Sequence, residues 1–523
     1  MVERLPFCIA ASALALLAYD VPRYNSSFGL ATSAGVSNKA SEYVPQTQVG
    51  MNLGSPSYWS SEWAFDDIIQ STGTLLVGAG WTPLNGQVPV DPAGHPFNVP
   101  AGTMLHVMVQ SGSPRLPIGS FRCHISPGWD VRVFGDWTKD GTGTDFRMVV
   151  TKPVSVTGIA LTLTSRSARA ALTELSCRAD APSRQARIFN PAFLDDNHRF
   201  GVIRFMDWMR TNNAPTRDWS KRPTPASFSQ AGEQGVALEH MVALSNRLGA
   251  DPWFTLPFNA DRHYYESFAK YVRDHLAPGR KTYVELSNEV WNTMFVQGRE
   301  SQRLGRVRYP GLAASQAGDF YYADRVRELM AIWSDVFRGQ ETRLVRVAAS
   351  QAVNPARAEA LLEHNNTWRS VDALATAAYF GKSIENIDPE GGSRVGAVFA
   401  NGPKMVEEAI AYDRTAKRIA FMHNLRFISY EGGPSFQSYR GDLRHDALAV
   451  NQDERIHDMY ALFLRRWQHD IGDLLMVFDS VSTPGPGGSF GHRTYTGQPL
   501  IDAPKARAVD EFMRQQQALL RNH

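Results

Sequence analysis

From about residue 195 onward the chain alternates strand-like and helix-like stretches, and this restricts the fold more than any other feature of the sequence. GVIRFMDW (201–208), DPWFTLPFNA (251–260), YVEL (283–286), RLVRVAAS (343–350), VDALATAAYFG (371–381), RFISYEGG (426–433) and LLMVFDSV (474–481) are short apolar runs ending in polar residues. That is the texture of buried strands. Between them, apolar residues recur at helical spacing near 233–250, 263–276, 318–338, 355–364, 403–424, 452–470 and 502–520. One further strand, TQVGMNL (47–53), precedes them. Eight strands, with helices between nearly all of them, place the chain in the α/β class as a (β/α)8 TIM barrel.

The barrel is interrupted. From 72 to 185 the texture changes to short β-type runs such as TLLVGAGW, MLHVMVQS, WDVRVFGDW, FRMVVTK and GIALTLTS, separated by Gly, Pro, Asn and Asp. Closely spaced strands with turn residues predict an all-β sandwich-like domain inserted between barrel strands one and two. The expected organisation is therefore the first part of the barrel at 46–71, the inserted sandwich at 72–185 and the rest of the barrel at 186–523. A sandwich of this kind suits a carbohydrate-binding module and equally a packing insertion, because fold alone does not give function.

Ahead of the barrel, Leu5–Tyr19 is an apolar run behind the head MVER. It is too short to span a bilayer comfortably. With the small-residue pattern Ala13-Leu14-Ala15 it reads as a signal peptide over 1–19, followed by a polar leader at 20–45. An uncleaved anchor or a buried strand is the alternative. A secreted protein, extracellular or periplasmic, is the expectation, without stable membrane insertion. Cys123 and Cys177 are the two cysteines outside the signal. They are compatible with one disulfide or with two separate buried thiols.

Charge is nearly balanced, 54 basic against 52 acidic residues, with no long basic run. This argues against nucleic acid and anionic membrane as partners. Neither of these cysteines has a neighbour at metal-ligand spacing and no His-Glu-x-x-His helix is present. No metal and no cofactor is expected. Nothing in the sequence speaks to oligomeric state.

Chemistry concentrates at two strand ends. In YVELSNEVWN (283–292) an apolar run passes directly into Ser287, Asn288 and Glu289, and RFISYEGGPSF (426–436) presents Glu431. The alternative for Asn288-Glu289 is an N-cap with a first-turn acid. On the strand count, Glu289 ends the fourth barrel strand and Glu431 the seventh, so both belong at the C-terminal mouth, where barrels carry out chemistry. Two carboxyl groups across a cleft are what glycosidic bond cleavage requires, one protonated and one ionised.

Asn288-Glu289 after strand four and Glu431 after strand seven resemble the catalytic pair of the large barrel glycoside hydrolase clan that includes families five, ten, thirty-nine and fifty-one. The resemblance covers about 46–70 and 195–520 and leaves out the insertion. It implies a retaining enzyme with Glu289 as acid/base, Glu431 as nucleophile and Asn288 touching the hydroxyl beside the anomeric carbon. Arg204 resembles the second-strand Arg that bonds the nucleophile, and Tyr379 the sixth-strand aromatic whose hydroxyl touches it. The chain departs from the clan in two places. It offers Phe478 where a Trp often ends strand eight, and Pro257-Phe258-Asn259 where strand three often ends in a His-containing pair, with His263 just after as the candidate substitute. Trp59, Trp208, Trp291 and Phe478, each at or just past a strand end, are expected to be sugar platforms.

Gly487-Gly488-Ser489-Phe490-Gly491 fits the G-x-S-x-G string of serine hydrolases, with His492 adjoining. The flanks are loop-like, whereas a nucleophile elbow needs a strand entering and a helix leaving. Two functions thus stand: a secreted retaining glycoside hydrolase acting on a poly- or oligosaccharide, or a non-catalytic glycan-binding scaffold on a degenerate barrel.

Overall fold

A computed structural model describes residues 47–521, apart from 74, 85, 111–118, 136, 152–157, 181–186, 216, 390, 439 and 486–488. The expected signal peptide and leader, and Gly487 and Gly488 of the serine-hydrolase string, lie outside the described residues.

Eight parallel strands close into a barrel: β1 (Val49–Asn52), β2 (Val202–Arg204), β3 (Asp251–Leu256), β4 (Thr282–Leu286), β5 (Leu344–Ala349), β6 (Ala373–Phe380), β7 (Arg426–Pro434) and β8 (Leu475–Val477). β8 closes the ring by pairing with β1, Gly50 opposite Met476. The strands are buried on both faces, which is why they read as apolar runs rather than as an alternation. Trp253, Tyr283, Val347, Ala375, Ile428, Tyr430 and Met476 form the interior cluster. Phe254, Val284, Ala348, Leu374, Phe427 and Leu475 face the surrounding helices. Among the described residues no helix is long and apolar enough to cross a membrane.

Two helices follow β4 where the sequence suggests one. Ala314–Val336 is the expected long helix, and Val296–Arg308 precedes it. The extra helix, VQGRESQRLGRVR, is mostly polar, so its apolar period is weak. It is held instead by close backbone approach: a Cβ on Gly305 would come within 2.2 Å of Ala317 O, and Ser301 Oγ donates to Gly318 O at 2.8 Å. A second extra helix, Arg444–Gln452, follows β7.

Between β1 and β2 lie two antiparallel sheets. One has the order Leu175–Ala179, Gly119–Ile125, Asp145–Val150, Trp137–Asp140. The other has the order Thr82–Pro83, Leu76–Val77, Met104–Gln110, Ile159–Ser165, Trp129–Phe134. Their inner faces share one core that includes Leu105, Phe121, Phe146, Met148, Leu161 and Leu163. Cys123 and Cys177 sit directly opposite on neighbouring strands and are bridged, with a Cα–Cα distance of 4.1 Å. Ile68 and Ile69, before the sheets begin, pack into this core, and so does Phe228 from the loop after β2. Asp67 secures the junction by accepting from the backbone N–H groups of Ile69 (3.1 Å) and Cys177 (2.9 Å).

Candidate active site

Arg204, the last residue of β2, is fully buried and ties together four strands of the barrel. Its Nε and Nη2 donate to Glu285 Oε2 at 3.1 and 3.0 Å. Nη1 donates to Glu431 Oε1 at 2.9 Å and to Asn52 Oδ1 at 3.0 Å, and Nη2 also donates to Asn288 Oδ1 at 2.9 Å. The rings of Tyr430 and Trp253 lie 5.2 and 5.6 Å from its guanidinium carbon. Burial opposes the charge on Arg204, and the carboxylates of Glu285 and Glu431 more than restore it. Glu285 is itself a side chain of β4; Trp253 Nε1 also donates to it, at 2.9 Å.

Glu431 reaches this cluster because β7 is bulged. Thr376 pairs with Ser429 but Ala377 pairs with Glu431, which leaves Tyr430 as an extra residue. Strict alternation would send Tyr430 inward and Glu431 outward. The bulge re-aims the side chain, as bulges near functional sites commonly do. Tyr430 joins the interior cluster while Glu431 bonds Arg204 and also accepts from Tyr379 Oη at 3.0 Å. Burial holds the Glu431 carboxyl above the ordinary carboxylate value, and the Arg204 charge and the hydrogen bonds of Arg204 and Tyr379 offset part of that rise.

Glu289 stands on a turn that L-residues adopt reluctantly, with Ser287 at φ 60° and Glu289 at φ 43°. Such positions cost about 1–3 kcal/mol each and persist where the surroundings over-determine them. Here Ser287 N donates to Leu256 O (2.7 Å), Gln297 Nε2 to Asn288 O (2.8 Å) and Asn292 N to Glu289 O (2.8 Å). Asn288 Nδ2 donates to Asn212 Oδ1 at 3.2 Å, and Gln297 Nε2 reaches the same oxygen at 2.8 Å. Asn288-Glu289 is therefore not a helix start; the next helix begins at Val296.

Glu289 is 4% exposed, and among the described residues its carboxyl accepts one hydrogen bond, from the neutral Asn292 Nδ2 at 3.0 Å. Burial first, then the Glu431 carboxylate, raise its pKa well above the ordinary carboxylate range. Of the two acids, Glu431 has a cation and a phenol as partners and Glu289 an amide. The negative charge belongs on Glu431 and the proton on Glu289.

The other expected site residues divide. Phe478 follows β8, with its ring 6.5 Å from that of Tyr379, and Phe490 stands 5.7 Å from Tyr379. Trp291 is part-buried in the turn beyond Glu289, and Asn259 is part-buried beyond β3. Trp59 is 51% exposed and its ring contact is with Tyr58. Two expectations are corrected. Trp208 is no platform: it is fully buried, stacked on Phe65 at 5.7 Å and on Phe193 at 6.2 Å, because the chain turns after Met206 and sends the indole outside the barrel. His263 does not replace a third-strand histidine. It is exposed on the first turn of the helix Arg262–His275.

Sequence reasoning missed Asn52, Glu285, Asn212 and Asn292, whose only signal was a polar residue in or just past an apolar strand. It also missed Asp207 and Asp479, after β2 and β8. Burial, then Asp479 and Glu431, push Asp207 up to about 7, and burial pushes Asp479 up to about 6 against a hydrogen bond from Ser482. His492 offers no base to Ser489: its Nε2 is 2.9 Å from Tyr460 Oη and its Nδ1 2.8 Å from Asp479 O.

No family model and no curated protein matches the chain. Similar solved structures include a family 51 arabinofuranosidase from Xanthomonas axonopodis pv. citri (12% identity, 58% of this chain and 62% of that one, TM-score 0.37). A monomeric β-xylosidase from Caulobacter crescentus CB15 is 15% identical over 62% of this chain and 64% of that one, with TM-score 0.37. A family 1 β-glucosidase from Thermotoga maritima is 13% identical over 62% of this chain and 85% of that one, with TM-score 0.35. The chain thus spans less than two thirds of the length of the first two.

Proposed function

We propose that this protein is a glycoside hydrolase that cleaves a poly- or oligosaccharide by double displacement, with Glu431 as nucleophile and Glu289 as acid/base. One observation carries the reading: two buried carboxyls lie within each other's field at the barrel mouth, one supported by Arg204 and Tyr379, the other by the amide of Asn292. Environments that push two acids apart assign their roles.

In the first step the ionised Glu431 forms a bond to the anomeric carbon as the glycosidic C–O bond breaks. Glu289 passes its proton to the leaving oxygen. In the second, Glu289, now ionised, takes a proton from water as the water oxygen displaces Glu431, and the sugar leaves with its configuration retained. Asn288, oriented by Arg204 and Asn212, presents its amide to the hydroxyl beside the reacting carbon. The reading also includes secretion into an oxidising compartment, supported by the Cys123–Cys177 bridge.

The test is a panel of aryl α-L-arabinofuranosides, β-xylosides and β-glucosides, followed by NMR of the first-formed product. Release of aryl alcohol with retained configuration is expected. Glu431→Ala should abolish turnover, with azide restoring it to give the inverted glycosyl azide; in Glu289→Ala, azide should give the retained product. Binding of glycans with no hydrolysis anywhere on the panel or on soluble polysaccharides would make the protein a non-catalytic glycan-binding scaffold, and an inverted first product would remove the nucleophile role of Glu431.

A further inference from the structure

The five-stranded sheet of the insertion turns Leu105, Val107, Leu161 and Leu163 into the sandwich core. On its other face the register sets His106 beside Thr162 and Thr162 beside Arg132. His106 is nevertheless buried, because Trp81 covers it. This residue belongs to the hairpin between Leu76–Val77 and Thr82–Pro83, and its indole lies flat on the imidazole, with centroids 4.1 Å apart and planes 7° apart. Phe134, 53% exposed, meets the indole edge-on at 5.5 Å and 62°.

The arrangement is locked from beneath. The Gly78 carbonyl accepts from both His106 Nε2 (2.9 Å) and Trp81 N (3.1 Å), so hairpin and imidazole share one anchor. His106 Nδ1 lies 3.0 Å from Thr162 Oγ1, which holds the ring's other edge. Trp81 itself sits at φ 51°, a conformation bulky residues rarely take and that persists where surrounding contacts impose it. The part-exposed indole, with a second exposed ring at its side, presents an aromatic surface outside the sandwich core.

We propose that this face is a glycan-binding site, in which a pyranose ring lies on the indole of Trp81 with Phe134 as a side wall. The electron-rich face of an indole attracts the weakly positive C–H face of a sugar ring. The exposed guanidinium of Arg132 on the next strand and the part-buried Thr162 supply hydrogen bonds to ring hydroxyls. The two rings form a corner, which suits one sugar unit or a twisted chain rather than a flat crystalline surface. Two rings bordered by exposed charges are too small an apolar centre for a stable protein interface, which buries about 1,200–2,000 Å². The inference does not depend on the two acids being catalytic.

The test is native gel electrophoresis of the full chain in gels cast with arabinoxylan, xyloglucan, soluble β-1,3-glucan or galactomannan. Retardation in at least one is expected, weakened about tenfold or more in Phe134→Ala and in Trp81→Ala, while hydrolysis of small aryl glycosides is unchanged. Trp81→Ala uncovers His106 and is expected to lower the melting temperature. Phe134→Ala removes a half-exposed ring, and its unchanged melting temperature makes it the deciding variant. Absence of retardation with all four polysaccharides, or retardation unaltered by Phe134→Ala, overturns the proposal. A monomer–dimer equilibrium abolished by Phe134→Ala, without glycan retention, would assign the face to a second copy of the chain.

Discussion

Arg204 gives two N–H donors to Glu285 and one to Glu431, so the side chain that supports the candidate nucleophile is itself positioned by an acid inside the barrel. Glu285 lies wholly buried within the barrel, where Trp253 Nε1 also donates to it. It acts through Arg204, holding the guanidinium below the site at a set height.

Arg204→Met should therefore be costly twice over. It leaves Glu285 and Glu431 buried without their cation, a loss of about 3–5 kcal/mol that urea unfolding would read. Adding Glu285→Leu removes the stranded acid and should recover a large part of that stability without recovering activity. Recovery of both would mean that Arg204 does nothing for Glu431.

Tyr379→Phe removes one of the two hydrogen-bonding partners of the Glu431 carboxylate among the described residues. Hydrogen bonds to charged groups are worth about 1.5–3 kcal/mol, so kcat should fall roughly 10- to 100-fold. The lost bond also raises the proton affinity of Glu431. The acidic limb of kcat/KM against pH should move to higher pH while the alkaline limb, set by Glu289, stays in place. Movement of the alkaline limb instead would exchange the two roles.

Glu289→Gln should stabilise the fold while abolishing activity on unactivated substrates. The folded-state pKa of Glu289 is raised above its unfolded value. Between the two values the native state binds the extra proton, so stability falls as pH rises through that window and is fully present below it. Gln has no proton to lose. The variant should melt with wild type near pH 4 and above it at pH 8, where each tenfold difference in proton affinity is worth about 1.4 kcal/mol. Equal melting at both would place Glu289 in a solvated site.

Gly298→Ala tests how the acid/base candidate is held. A Cβ there would lie 2.1 Å from Asn292 O, in the turn whose side-chain amide bonds Glu289. Overpacking of this kind costs about 1–3 kcal/mol. The displaced turn should lower kcat more than the melting temperature alone explains. Gly441→Ala, with nothing within 4 Å, is the control and should match wild type in both measurements.

What the sequence determined by itself was local in origin. Strands buried on both faces carry apolar residues throughout, so β1 to β8 and the presence of short antiparallel strands between β1 and β2 were legible from composition and period. Asn288-Glu289 and Glu431 were legible as polar residues at the ends of such runs. Tertiary structure decided what depends on pairing across the barrel. Alternation alone would have turned Glu431 away from the mouth, and only the bulge at Tyr430, a property of β7 against β6, brings it in. Trp208 and Phe478 look alike as aromatics just past a strand, yet one is sealed outside the barrel beneath Phe65 and the other faces Tyr379, because the chain leaves β2 and β8 in different directions. Glu285 read as an interruption in a strand. It became the anchor of Arg204 once closure of the ring set β2 and β4 on the two sides of β3, with the guanidinium and the carboxylate both facing inward. Period and composition are properties of neighbouring residues, whereas register and closure join residues 81 apart.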